Sequence, residues 1–370
     1  MISYVPMLEK IRKKTKKLIK NDLFLAAIIT ISLVLIGVII GYESNRVIPI
    51  TKLTVNTYTL EPKNPLKFLS NWDGPIYLNI AKNGYDKGYL VNFFPLYPAA
   101  VALVHKIVKS LLDSGLVVAW GFLFGTFYYY IKIIKEYYKP KKREEIIKAV
   151  LVFALYPTAI FFLATFSESL FAFLSLGAIY YALKDHYKLS AIFAALVTMT
   201  RINGIFVLAL VLSILWFKNK QKLSKIIKTG LLGSVGIVFY MIAMYIRFKN
   251  PLEFIKTQQN HGWLHHNIFT QLAHISILNS LFLIPVVVAV FYWWKKEISF
   301  SIYSILYLLI PLVGGQFGGF ARYTLMIFPV PLMIYEYTKN RQLYYAIVIA
   351  LFSMGWVYLL IQYSAGYIGS

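Results

Sequence analysis

The run LFLAAIITISLVLIGVIIG, residues 23–41, carries no charge from end to end. A hydrocarbon core about 30 Å thick takes roughly 20 helical residues to cross, and this run has that length. It follows a cationic tract containing Lys10, Arg12, Lys13, Lys14, Lys16, Lys17 and Lys20. The run is too long for a signal-peptide core and has no small-residue cleavage site after it. It reads as a first membrane helix, with residues 1–22 as a basic cytoplasmic N-terminus. Further apolar runs of similar length follow, separated by short polar tracts. Of the 370 residues 59% are hydrophobic, against about 45–50% in soluble domains, and the mean hydropathy is +0.63. Soluble and disordered chains are thereby excluded. Because the runs are continuous rather than alternating, they do not describe a membrane β-barrel. No cysteine is present, so thiol nucleophiles, disulfides and zinc thiolates are excluded.

The net charge of +23 would suggest nucleic acid in a soluble protein. Here it follows the rule that cytoplasmic loops collect Lys and Arg, and no nucleic-acid partner is expected. Basic tracts at 132–148, 218–228, Lys295–Lys296 and Lys339–Arg341 join the N-terminus, Lys184 and Lys188 on one side. Together they hold 25 of the 38 cations. Glu43, Glu61, Asp73, Asp86, Glu168 and Glu253 fall on the other side; Asp113 is unplaced. The expected helices are 23–41, 115–134, 149–165, 169–184, 189–201, 203–217, 229–247, 272–294, 299–314, 323–338 and 344–363. Several are short, which suggests helices that stop below the surface and leave an indentation. Segment 93–112 is read as interfacial or re-entrant. Its full crossing, with one later short helix failing to cross, is the alternative. The fold class is an all-α integral membrane bundle of about 10–12 transmembrane helices in one domain, 1–370. Its first outer loop, 42–91, carries interfacial helices.

That loop contains SNWDGPIYLNIAKNGYDKGYLVNFFPLYP, residues 70–98. An amphipathic helix fits IYLNIAKNGY, 76–85, with Ile76, Tyr77, Ile80 and Ala81 on one face able to lie on the membrane surface. Asp73 would then cap its N-terminus and Pro75 would sit in its first turn. The stretch W-D-G-x-x-Y-L-x-I-A-x-x-G-Y, followed by F-F-P-L-Y-P, resembles the PIG-V family of mannosyltransferases and its prokaryotic relatives, of the GT-C class. Similar stretches follow in order: Tyr156-Pro157-Thr158-Ala159, Ser167-Glu168-Ser169-Leu170-Phe171, Thr200-Arg201-Ile202-Asn203-Gly204, and Ala321-Arg322-Tyr323 with Phe328-Pro329. Where the family often has Arg-Pro-Thr-Gly, this chain has Arg201-Ile202-Asn203-Gly204.

The resemblance implies a polyprenyl- or dolichyl-phosphate sugar donor, usually mannose. It implies an acceptor hydroxyl on a glycan, glycolipid or protein, and an acidic residue of the first outer loop as general base. Asp73 holds that position. The chemistry agrees. A lipid phosphate is a good leaving group and needs no general acid, whereas a glycosidase needs two carboxylates. One base must take the acceptor proton, and cations must hold the departing phosphate. A single displacement would invert the anomeric centre. Arg322 and Arg201 are the candidate cations. An Arg at mid-bilayer costs about 2.5–3.5 kcal/mol on insertion scales, so Arg201 faces a polar cavity or an anion, snorkels, or pairs with Glu168 as structural glue. Glu168 could cap the helix near Ser169, orient the acceptor, or share a divalent cation with Asp73; no cofactor is otherwise implied. Trp72, Tyr77 and Tyr323 are further substrate-binding candidates. So are Gln258, His261 and Trp263, from the polar stretch RFKNPLEFIKTQQNHGWLHHNIFTQ at 247–271. Its three histidines match no recognised metal-ligand spacing. The rival reading is a transporter or flippase of lipid-linked sugars, which would bury its charges near the midplane with inverted repeats. Here the candidates gather at one interface. The Lys/Ile-rich composition points to a prokaryotic cell membrane, with the site extracytoplasmic.

Overall fold

A computed structural model describes residues 21–48, 61, 63–85, 88–260, 277–314 and 319–367. Every regular element among them is helical. The long outer elements are α1 (Asp22–Val47), α4 (Leu111–Tyr138), α9 (Leu223–Phe248) and α15 (Gln342–Ser364), each long and apolar enough to cross a membrane. Between α1 and α4 lie α2 (Asp73–Asn83) and α3 (Leu96–His105), with 3-10 turns at Lys67–Leu69 and Gly88–Asn92. Then come α5 (Arg143–Ala154), α6 (Glu168–Leu183), α7 (Tyr187–Thr198) and α8 (Gly204–Ser213). After α9 the chain forms α10 (Glu253–Asn260), α11 (Ile277–Trp294), α12 (Ile298–Gly314), α13 (Phe320–Thr324) and α14 (Pro329–Thr338). The protein is an all-α integral membrane protein.

Two expected helices are broken, the first of them at X-Pro. The residue before proline is driven out of the helical region. Tyr156 is extended (φ −52°, ψ 131°) and the span expected at 149–165 becomes α5 plus a 3-10 turn, Pro157–Phe162. The span expected at 323–338 splits into α13 and α14, the latter opening on Pro329. Segment 93–112 holds only the ten residues of α3. At 1.5 Å per residue that is about 15 Å, half a hydrocarbon core.

The expectation for 76–85 is corrected in two respects. Ile76, Tyr77, Leu78 and Ile80 are all buried in the protein, so α2 is packed inside rather than lying on a membrane surface. Asp73 is the first helical residue, not the cap; the residue before the helix is Trp72, and no side chain caps it.

The bundle has a basic end and an acidic-arginine end. At the basic end Asp22 meets Arg143 at 2.8 Å, Lys135 at 2.9 Å and Lys132 at 3.4 Å. Lys184 pairs with Glu136, and Lys218 with Glu297. Helix α6 runs from there to Glu168, its first residue. Its 16 residues cover about 24 Å. Helices α7 and α9 approach so closely that a β-carbon at Gly236 would run into the Ala195 carbonyl oxygen and the Thr198 hydroxyl. Overpacking of this kind costs about 1–3 kcal/mol. Gly236→Val is therefore expected to lower the melting temperature of the detergent-purified protein. An unchanged melting curve would show that the two helices can separate freely.

Candidate active site

The loop before α2 is fixed from two directions. The Asn71 amide donates to the Tyr363 carbonyl at 2.7 Å, and its backbone N–H donates to the Tyr363 hydroxyl at 3.1 Å. The Thr165 hydroxyl donates to Ser70 Oγ at 2.8 Å, and its N–H to the Leu69 carbonyl at 3.0 Å. Gly74 fits between them because it lacks a β-carbon, which would stand 2.5 Å from Thr165 Oγ1. Trp72 turns the chain with φ at 56°, in the left-handed region. For a bulky residue such a conformation costs of order 1–3 kcal/mol and tends to occur where a neighbouring side chain must be aimed.

The side chain so aimed is Asp73. Its Oδ2 accepts from Arg322 Nη1 at 2.6 Å. Arg322 Nε donates to Glu168 Oε1, and Arg201 Nη1 donates to the same oxygen at 2.5 Å. Asp73, Arg322, Glu168 and Arg201 therefore form one chain of alternating charge with no net charge. Side-chain exposure falls along it from 27% at Asp73 to 5% at Arg322 and 1% at Glu168, and Arg201 keeps 14%. The exposed member is the first-loop carboxylate, and the sealed member is the one that both guanidiniums share. Aromatic rings wall the chain. Arg322 lies 4.4 Å over Phe166 and 5.4 Å over Phe161, and Arg201 lies 5.7 Å over Tyr323. Such contacts stabilise a cation more when water is excluded.

The elements explain the convergence. Glu168 opens α6, Arg201 lies between α7 and α8, and Arg322 sits on the short helix α13 after Gly319, whose φ is 79°. Each is at a helix junction at the same end of the bundle. Of the expected site residues, Asp73, Glu168, Arg201 and Arg322 come together, with Tyr323 and Trp72 beside them. Tyr77 is buried, and its hydroxyl is 2.9 Å from Ser167 Oγ, which also accepts from Arg201 at 3.4 Å. Gln258 is half-buried on α10, outside this chain of ion pairs. His261 and Trp263 lie outside the described residues. Glu168 does not act as a cap; its carboxylate turns to the arginines. Arg322 stands between the two acids that were expected to share a divalent cation, and no group of three His, Asp or Glu side chains able to hold a metal occurs among the described residues.

Sequence reasoning gave no role to Ser167, though it stands next to Glu168 in the motif, nor to the Asn71–Tyr363 clamp, which joins residues far apart in sequence. Two buried atoms of the cluster, Arg322 Nη2 and Glu168 Oε2, have no hydrogen-bond partner. So does Trp72 Nε1.

A helical membrane protein with paired acids and arginines at one end of its bundle is the class that fold and site define. Residues 53–270 match the family described as Mannosyltransferase (PIG-V), and the chain belongs to that family. Asp73, Glu168 and Arg201 lie within the match; Arg322 is contributed from beyond it. The chain is 29% identical over 209 residues to "GPI mannosyltransferase 2" of Drosophila melanogaster, covering 50% of this chain and 46% of that one. It is 31% identical over 118 residues to the protein of the same name from Drosophila pseudoobscura pseudoobscura, covering 30% and 26%. The chain thus spans less than half the length of these relatives.

Removing one partner of a buried ion pair costs about 3–5 kcal/mol, because a charge is left uncompensated. Glu168→Gln is expected to melt much lower than the unaltered protein. Glu168→Gln combined with Arg201→Gln should recover part of the loss, since the two sites share a contact. Strictly additive losses in such a double-mutant cycle would contradict the shared-carboxylate geometry.

Proposed function

We propose that the protein transfers a hexose, most simply mannose, from a polyprenyl- or dolichyl-phosphate donor to an acceptor hydroxyl at the extracytoplasmic membrane face. The observation that carries this reading is Arg322, buried between an accessible Asp73 and an inaccessible Glu168. Exposure separates the roles of the two acids. Asp73 can meet an incoming hydroxyl; Glu168, at 1% exposure, can only hold the arginines in place.

The step balances without a general acid. The acceptor O–H gives its proton to the Asp73 carboxylate while its oxygen bonds to the anomeric carbon. The bond from that carbon to the phosphate oxygen breaks, and its electron pair leaves on the lipid phosphate. Arg322 and Arg201 hold that phosphate, with Arg322 Nη2 as a donor not used within the protein. Attack opposite the leaving group inverts the anomeric centre. Preorganised donors in a site walled by aromatic rings are effective because they need no reorientation as charge develops.

The basic end of the bundle, by the positive-inside rule, supports the reading that the site lies on the outer side, where a lipid-borne donor would meet it. The acceptor is a glycan, a glycolipid or a protein bearing an accessible hydroxyl.

Asp73→Asn keeps the shape and loses the base. With polyprenyl-phosphate mannose and candidate acceptors, transfer is expected to fall by about 10²–10⁴ while donor binding persists. Turnover at the normal rate would reduce Asp73 to a structural partner of Arg322. The chain has no native cysteine, so sidedness is open to single-cysteine labelling at two exposed positions. In sealed cells Lys82→Cys should react with an impermeant maleimide, and Lys142→Cys only after permeabilisation. The reverse pattern would place the site in the cytoplasm.

A further inference from the structure

Asn92 ends the 3-10 turn Gly88–Asn92. Both polar atoms of its side-chain amide are buried, and neither has a hydrogen-bond partner. A sealed polar group left without a partner is destabilising, so its retention calls for a reason. Loose backbone is not the reason. On one side the Tyr240 hydroxyl donates to the Val91 carbonyl at 2.5 Å; on the other the Tyr85 hydroxyl donates to the Phe93 carbonyl at 2.7 Å. Phe94 is wedged against Tyr240 at 4.5 Å and Phe254 at 5.4 Å. The main chain around Asn92 is pinned, and only the amide it presents is left unmatched.

Its position connects it to the ion-pair chain. Phe93 meets Tyr77 edge-on at 5.2 Å, and the Tyr77 hydroxyl bonds to Ser167, the residue that also accepts from Arg201. The Leu96 N–H donates to the Met199 carbonyl at 3.1 Å, which ties this segment to the turn that carries Arg201. Val91 and Phe94 belong to one apolar cluster, with Ile202 packed on it, and Leu90 and Phe93 belong to the other. Asn92 thus stands at the seam of the two clusters, in a segment tied through Leu96 to the turn that carries Arg201.

We propose that Asn92 binds hydroxyl groups of the hexose and is a specificity-determining residue of the site. An amide offers an acceptor and a donor side by side. A phosphate would use only the donor, and a cation only the acceptor. Two adjacent hydroxyls of a sugar use both, one donating to Oδ1 and the other accepting from Nδ2. The inference rests on the hexosyl-transfer reading; the hydroxyls belong to the donor sugar or to the acceptor sugar.

The test is binding by the full chain in detergent, followed by thermal shift. The probes are polyprenyl phosphate, polyprenyl-phosphate mannose and methyl α-mannoside, and the variants are Asn92→Leu and Asn92→Ser. The unaltered protein should be stabilised more by the mannose-bearing lipid than by bare polyprenyl phosphate. Unliganded Asn92→Leu should melt no lower than the unaltered protein, because an orphaned amide has been replaced by an apolar group of similar size. It should keep its response to polyprenyl phosphate and bind the mannose-bearing lipid about tenfold or more weakly, the loss of two neutral hydrogen bonds. Asn92→Ser, which keeps a donor and an acceptor, should fall between. If the hydroxyls are the acceptor's, the loss falls on methyl α-mannoside instead. Sugar binding unchanged in Asn92→Leu, or a lower melting temperature without ligand, overturns the assignment. So does the absence of any response of the unaltered protein to both sugar-bearing probes. Binding of the mannose-bearing lipid that depends on Asn92, without transfer to any acceptor, would sink the transferase reading and leave this one standing.

Discussion

Glu168 carries a negative charge where water scarcely reaches, and two guanidinium groups meet at one of its oxygens. Neither a lone carboxylate nor a lone arginine is tolerable in such surroundings, since taking an ion out of water costs several kcal/mol. Each therefore requires the others. Because the three residues come from the start of α6, the turn between α7 and α8, and the helix α13, that mutual requirement fixes how these parts meet. Asp73 is attached last, through Arg322, and brings the first outer loop onto the same point. Around this chain of charge the loop has little freedom. Asn71 is clamped to Tyr363, Thr165 is bonded to Ser70, and Trp72 accepts an unfavourable backbone angle so that Asp73 faces inward.

The surroundings give the arrangement its chemical direction. Aromatic faces of Phe161, Phe166 and Tyr323 line the arginines and keep the local dielectric constant low by excluding water, which strengthens electrostatic interactions within. The charge is balanced before substrate arrives. On the proposed reading, a lipid phosphate adds negative charge beside these guanidiniums, and an alcohol brings a proton to the outermost carboxylate. The ordering from sealed Glu168 to accessible Asp73 separates structural support from reactivity within a single network.

Much of the fold could be read from the sequence, because apolar run length is dictated by bilayer thickness. The ends of α1, α6 and α15 fall within a few residues of their expected positions, apart from the longer C-terminal end of α1. Misreadings occur where local chemistry overrides hydropathy. Pro157 stops a helix that apolar composition alone would continue. The amphipathic pattern of 76–85 described a surface helix, yet α2 is enclosed, with Phe93 and Tyr97 packed edge-on against Tyr77 on the face that was assigned to lipid. The four charged members of the site were legible because charge inside an apolar chain is rare and therefore informative. The Arg201–Glu168 pair was among the expected alternatives, but Arg322 bridging both acids was not, since nothing in the spacing of residues 73, 168 and 322 tells that one arginine meets two carboxylates. Asn92 gave the weakest signal of all: one amide among aromatic neighbours becomes notable only when its lack of a partner is seen.

The most direct measurement is an experimental structure of the protein bound to a non-hydrolysable phosphonate analogue of polyprenyl-phosphate mannose. The account predicts the phosphonate against Arg322 and Arg201, with the anomeric carbon turned toward Asp73 and the isoprenoid chain leaving into the bilayer. A ligand seated at the Asp22–Lys135–Arg143 end instead, with the Asp73–Arg322 pair untouched, would contradict it.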